Sequence, residues 1–130
     1  MKVWIVDDNA VFRTLVKMQI SKIEKNITVE EFEHGKSAMG AVLKYDSDNQ
    51  PDIILLDINM PVMNGWEFIS AYDKLDVNFD RTWIYIVTSS IDPKDFERAR
   101  DSEYVHDFLV KPIEIDNLKK IFTKVNSSRT

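Results

Sequence analysis

Four apolar residues, Ile53-Ile54-Leu55-Leu56, run without interruption into Asp57, and Pro61 follows four positions later. A run with no polar alternation reads as a strand buried on both faces, which a parallel sheet sandwiched by helices provides and a half-wet antiparallel sheet does not. Ending such a strand on a carboxylate raises a chemical demand. An acid taken out of water needs a partner that offsets its desolvation: a cation, a metal or a reaction.

The rest of the chain alternates two periods. "KVWIV" (Lys2 to Val6) is a short apolar strand, and Phe12, Leu15, Val16, Ile20 and Ile23 then mark one face of a helix. "ITVEEF" (Ile27 to Phe32) reads as a more polar strand nearer an edge, and after Gly35 a second helix carries Ala38, Met39, Val42 and Leu43. The strand at Asp57 is third. A third helix after Gly65 turns Phe68, Ile69, Tyr72 and Leu75 inward. "TWIYIVT" (Thr82 to Thr88) is a fourth strand, rich in β-branched and aromatic residues. Asp92 suits a helix N-cap, Pro93 the first helical position and Asp95 the third. "DFLV" (Asp107 to Val110) is a short fifth strand, and Ile115, Leu118, Ile121, Phe122 and Val125 line a last helix.

Five strands alternating with five helices predict an α/β, doubly wound parallel sheet with helices on both faces and right-handed crossovers. At 130 residues the chain fits one domain, expected over residues 1–126 with a frayed tail at 127–130. A net charge of −5 with no basic stripe argues against direct nucleic-acid binding. There is no cysteine, so disulfides and thiolate metal sites are excluded. No apolar run reaches membrane-spanning length and no signal-peptide pattern opens the chain, so the expected location is cytoplasmic.

In a doubly wound sheet, ligands sit beyond the carboxyl ends of the strands. Strand one ends in Asp7-Asp8, strand three in Asp57, strand four in Thr88-Ser89-Ser90 and strand five in Lys111-Pro112. Three carboxylates, hydroxyls and one ammonium therefore gather at one edge. One lysine cannot balance three acids, whereas a hard divalent ion with oxygen ligands can. Carboxylate, Mg2+, lysine and hydroxyl suit phosphoryl transfer, and a carboxylate can itself be the nucleophile, forming an aspartyl phosphate.

"VDDN" (Val6 to Asn9), "LLDINMPVMNG" (Leu55 to Gly65), "VTSS" (Val87 to Ser90) and "FLVKP" (Phe108 to Pro112) together resemble the receiver domain of two-component response regulators. Each motif is weak alone, but the four in this order span nearly the whole chain. The likeness is to the stand-alone type, similar to the chemotaxis response regulator, and it implies the flavodoxin-like strand order 2-1-3-4-5. By the same resemblance, Asp57 is the phosphoacceptor for a histidine kinase's phosphohistidine. Asp8 is a direct Mg2+ ligand, Asp7 acts through a metal-bound water, and Asn59 offers its backbone carbonyl. Thr88 bonds the phosphoryl oxygen after activation, Lys111 pairs with the phosphate, and Pro112 follows a cis peptide bond. Phe108 is the switch aromatic, at a position that is often tyrosine. The implied partners are a histidine kinase or histidine phosphotransfer protein and a separate effector. That effector would meet a helix 4–strand 5–helix 5 face carrying Lys94, Arg98, Tyr104, Lys119 and Phe122. The protein would then be a switch or relay intermediate rather than a turnover enzyme, its chemistry limited to Mg2+-dependent self-phosphorylation and dephosphorylation at Asp57.

Each of these residues also has a plain structural use. Asp7-Asp8 can cap the first helix, Asp57 can shape a turn, Thr88 favours a strand, and an isolated lysine is usually surface. Their convergence on one sheet edge favours the chemical reading. An aspartyl-nucleophile phosphatase of the haloacid dehalogenase type would need a second acid two residues after the nucleophile, where Asn59 stands. A flavin-mononucleotide binder on this fold would need Ser, Thr and Gly after strand one, where Asp7-Asp8 would repel the phosphate. His34 and His106 have no partner at zinc-ligand spacing. Trp4 and Trp83 are expected in the core, Trp66 near the active edge, and Glu30-Glu31 and "DSDNQ" on the solvated surface.

Overall fold

The computed structural model describes residues 1–75 and 81–128. Among them, strands β1 (Lys2–Val6), β2 (Thr28–Phe32), β3 (Ile53–Leu56), β4 (Trp83–Thr88) and β5 (Val105–Val110) alternate with helices α1 (Ala10–Ile23), α2 (Gly35–Lys44), α3 (Gly65–Asp73), α4 (Pro93–Asp101) and α5 (Ile115–Ser127). The sheet is parallel throughout, in the order β2-β1-β3-β4-β5. The pleat sends alternate residues to opposite faces. Trp4, Val6, Ile54, Leu56, Ile84 and Ile86 pack with Ala38, Val42, Phe68 and Tyr72 of α2 and α3. Val3, Ile5, Ile53, Leu55, Tyr85 and Val87 pack with Val16, Ile20, Leu118 and Phe122 of α1 and α5. All four residues of β3 are buried, as a strand covered on both sides must be.

Local chemistry sets the helix starts. Asn9, Asn64 and Asp92 each accept a backbone N–H in the first turn of the helix that follows. Asn64 and Glu67 form a reciprocal capping box. Gly65 does not serve backbone freedom, since no described glycine has a positive φ. Its role is space: a Cβ there would sit 2.5 Å from the Asp57 carbonyl oxygen.

Several sequence expectations need correction. Leu15 and Leu43 are exposed rather than inward, because the apolar stripes of α1 and α2 are narrower than the pattern implied. Phe122 is buried under the sheet and cannot belong to a partner face. β5 begins at Val105, before the "DFLV" segment, because Ile84 pairs Val105 while Tyr85 pairs Asp107. That irregularity leaves His106 as an extra residue and hides the two-residue period. In the segment expected to be solvated, Ser47–Asn49 forms a 3-10 turn and Gln50 is buried, its Nε2 donating to the Val42 and Tyr45 carbonyls. Glu30 is half-buried and accepts a 2.6 Å hydrogen bond from the Tyr45 hydroxyl. Trp83 is only half-buried, stacked on His106 with ring centroids 4.4 Å apart. Ser127, assigned by sequence to the tail, is still helical, and Arg129 and Thr130 lie outside the described residues.

Candidate functional site

The register aligns the strand ends. Val6 pairs Leu56, Leu56 pairs Ile86, and Thr88 pairs Val110. The next residue of three strands remains tied to its neighbour: Asp7 N–H donates to Phe32 O, Asp57 N–H to Val6 O and Lys111 N–H to Thr88 O, at 3.0, 2.9 and 2.8 Å. The sheet thereby fixes the backbones of Asp7, Asp57 and Lys111 at one edge, as the strand-end argument expects.

Asp7 and Asp57 are 1% and 6% exposed, whereas Asp8 is exposed. The three offer carboxylate oxygens that lie within 4.8 Å of one another. Lys111 Nζ sits between the two buried acids, 2.6 Å from Asp7 Oδ2 and 3.4 Å from Asp57 Oδ2. Asp7 Oδ1 accepts from Asn9 N–H at 2.8 Å, and Asp57 Oδ1 accepts from Asn59 N–H at a long 3.4 Å. Burial first, and the Asp7 charge second, push the Asp57 carboxyl above its ordinary range; Lys111 and the Asn59 N–H oppose this without cancelling it. The buried carboxylate that follows β3 thus has a cation beside it, but one it shares with another acid.

Thr88 is fully buried, and its Oγ1 accepts from Ser90 N–H at 3.2 Å. The Lys111–Pro112 peptide bond is cis. Phe108 is half-buried on β5, its ring 4.1 Å from that of Phe96 on α4. Asn59 is exposed next to the acidic edge. His34 caps α2, its Nδ1 accepting from Ser37 N–H.

Four residues shape this edge through contacts that the sequence did not reveal. Arg13 of α1 donates to the Asp7 carbonyl oxygen at 2.7 Å and pairs with Glu31 of β2 at 3.2 Å, bracing the end of β1. Phe12 places its ring centroid 4.3 Å from Lys111 Nζ, a cation–π contact that limits where the ammonium can go. Asp95 accepts from Trp66 Nε1 at 3.2 Å and from Ser90 Oγ at 2.7 Å. Arg98 lies 4.7 Å over the Trp66 ring. The contacts of Asp95 and Arg98 with Trp66, and of Phe12 with Lys111, join segments distant in sequence, and no spacing rule announces them.

Three acids converging at a sheet edge fit a hard divalent cation: the donors are all oxygen, two are held rigidly and one faces solvent. Asp8 and Asp57 would hold it, with Asp7 shared between the ion and Lys111.

The family profile described as the response regulator receiver domain matches residues 3–123. The chain is 30% identical over 124 residues to the chemotaxis protein CheY of Listeria monocytogenes, covering 95% of this chain and 97% of that protein. It is 31% identical over 125 residues to the CheY of Thermotoga maritima, covering 96% and 97%. A two-component response regulator from Cytophaga hutchinsonii superimposes with a TM-score of 0.88 at 26% identity, covering 97% of this chain and 96% of that one. The chain belongs to the response regulator receiver domain family, with the five-stranded flavodoxin-like fold and the acidic cluster of two-component signalling domains that use Mg2+. Among the described residues, no helix is long and apolar enough to cross a membrane.

Proposed function

We propose that this protein is a cytoplasmic CheY-like switch that accepts a phosphoryl group on Asp57 from the phosphohistidine of a histidine kinase or phosphotransfer protein. One observation carries the reading: a nearly buried strand-end carboxylate, Asp57, lies within 4.8 Å of two further acids and 3.4 Å from an ammonium. An oxygen of Asp57 attacks phosphorus, the new O–P bond forms as the N–P bond breaks, and the imidazole nitrogen leaves with the electron pair. Bound Mg2+ would neutralise charge on the transferring phosphoryl oxygens. Asp8, Asp57 and the Asn59 carbonyl would hold the ion directly, and Asp7 through water.

Lys111 is the ammonium available to the phosphoryl group, and Thr88 supplies a hydroxyl from the adjoining strand. Movement of Thr88 makes room for Phe108 to rotate inward. The surface of α4, β5 and α5 then changes for a separate effector. That surface carries Phe96 and Phe108 with Lys94, Arg98, Tyr104 and Lys119, and excludes the buried Phe122. The chemistry is single transfer and hydrolysis at Asp57, not turnover of a free substrate. Incubation with acetyl phosphate and Mg2+, followed by intact mass measurement and site mapping, should find one labile, Mg2+-dependent phosphoryl group. Equal labelling of Asp57→Asn would overturn the assignment.

A further inference from the structure

Ser90, in the segment between β4 and α4, makes three hydrogen bonds. Its N–H donates to Thr88 Oγ1 at 3.2 Å, its hydroxyl donates to Asp95 Oδ2 at 2.7 Å, and the same hydroxyl oxygen accepts from Asp92 N–H at 3.3 Å. The other oxygen of Asp95 accepts from Trp66 Nε1 at 3.2 Å. The Trp66 ring is buried, and Trp66 follows Gly65, where a Cβ would meet the Asp57 carbonyl oxygen at 2.5 Å. An unbroken set of contacts therefore runs from Thr88 through Ser90 and Asp95 to Trp66, and returns along the chain to the segment after Asp57.

An acid at the third position of a helix has ordinary uses: it favours the helix dipole, or it closes a capping box on the N-cap N–H. Here the box is not formed. The Asp92 N–H goes to Ser90, and both Asp95 oxygens point to groups outside α4. Asp95 is spent on joining the β4–α4 segment to α3.

We propose that Asp95 is a positioning residue: a latch that holds Ser90, and through it the Thr88 hydroxyl, in the arrangement found without a phosphoryl group on Asp57. The inference rests on the phosphoacceptor reading above. A group on Asp57 that draws Thr88 toward it must shift Ser90, and Ser90 cannot shift far without loosening Asp95 and Trp66. A ligand moves such an equilibrium only by its differential affinity for the two arrangements, so the strength of the latch opposes the binding of any acyl-phosphate mimic. Weakening it makes the active arrangement easier to reach. Trp66 lies at the far end under Arg98, so release also reaches a side chain on the exposed part of α4.

Beryllofluoride with Mg2+ is the probe, because it mimics the acyl phosphate and leaves hydrolysis out of the measurement. Its affinity is titrated for the wild type, Asp95→Ala, Ser90→Ala and Trp66→Phe. Each substitution should tighten binding by about three- to tenfold, the equivalent of one net hydrogen bond. The indole N–H resonance of Trp66, assigned by its loss in Trp66→Phe, should move when beryllofluoride binds the wild type. In Asp95→Ala it should be displaced before any ligand is added. An Asp95 that only favours the helix dipole would lower the melting temperature and leave the affinity alone. Unchanged or weaker affinity in Ser90→Ala and Asp95→Ala, with normal binding by the wild type, overturns the latch and leaves the phosphoacceptor reading standing. A folded wild type that binds no beryllofluoride with Mg2+ overturns both. Should Asp95→Ala not fold, Ser90→Ala decides alone, since it cuts the same link from the loop side.

Discussion

Replacing Asp57 by Asn should stabilise the metal-free protein, although it removes a buried residue's contact with a lysine. The lysine contact at 3.4 Å is worth about 5 kcal/mol at an effective dielectric of about 20. Repulsion from Asp7 at up to 4.8 Å opposes it by about 3.5 kcal/mol on the same footing. The small remainder must offset both the desolvation of a carboxylate, several kcal/mol by itself, and the further repulsion of Asp8. It does not, which is why the Asp57 carboxyl is held above its usual range. Asparagine keeps the volume and an oxygen for the Asn59 N–H. After allowing for solvent screening, the expected gain is about 1 kcal/mol, or roughly 3–5 °C in melting temperature for a chain of this size.

The sign extends to pH. An acid whose folded pKa is raised binds more protons folded than unfolded between its ordinary value of 3.8 and the raised value. Wild-type stability should therefore fall as pH rises through that window, and Asp57→Asn should remove this component. Asp8→Asn should also raise the metal-free melting temperature. Asp7→Asn should lower it, because it gives up the shorter lysine contact of 2.6 Å. Mg2+ should stabilise the wild type by about 2.7 kcal/mol at one hundred times its dissociation constant, and should stabilise Asp8→Asn much less. The assay is thermal unfolding of wild type and variants in EDTA and in Mg2+. If Asp57→Asn and Asp8→Asn both melt lower in EDTA, and Mg2+ shifts no protein, the cluster is a set of structural carboxylates and the electrostatic argument fails.

Val62 has a φ of 71° in the loop after Asp57, a conformation that crowds a β-branched side chain. Val62→Asn should raise denaturant stability by about 1 kcal/mol, and an unchanged midpoint would show that the loop relaxes freely. Gly65→Ala should lower stability by about 2 kcal/mol or more and impair acetyl phosphate labelling, because its Cβ would meet the Asp57 carbonyl at 2.5 Å. Burial and then Lys124 hold His106 below its ordinary pKa, so its contribution to stability is complete above about 6.5 and is lost as pH falls toward its folded pKa. An NMR titration should place His106 below the free-imidazole value, and Lys124→Ala should raise it.

The architecture was legible because burial on two faces leaves a direct mark on sequence. The unbroken run Ile53–Leu56 and the alternating periods define strands, helices and their covering without any long-range information. The strand ends were legible for the same reason: in a parallel sheet, every such end falls on one edge. Legibility failed where geometry depends on contacts between distant segments. The β4–β5 irregularity at His106 breaks the period that would have revealed the full length of β5. Gln50 looks like surface in a polar run, but it is the donor that satisfies two carbonyls at the end of α2. Phe122 follows the helical stripe correctly, yet only the structure shows that this stripe is the covered one. Asp95 was visible as a helix-start residue, and its use by Trp66 and Ser90 was not.

The placement of Lys111 ties these observations together. In the structure it lies closer to Asp7 than to Asp57, and Phe12 stands over it. It compensates neither acid fully, since one ammonium faces two buried carboxylates and an exposed third. A phosphoryl group on Asp57 would add negative charge on the side where the lysine is now more distant, and would compete with Asp7 for it. The cation needs only a small displacement to follow that charge. Thr88, by contrast, is tied through Ser90 to two helices. The two responses therefore differ in difficulty. On the proposed reading, charge compensation would draw on an ammonium already between the two acids, whereas recruitment of the Thr88 hydroxyl would loosen hydrogen bonds reaching α3 and α4. On that reading, the lysine would stabilise a phosphorylated Asp57 whether or not the surface switches, and the balance between switched and resting surfaces would be set on the threonine side.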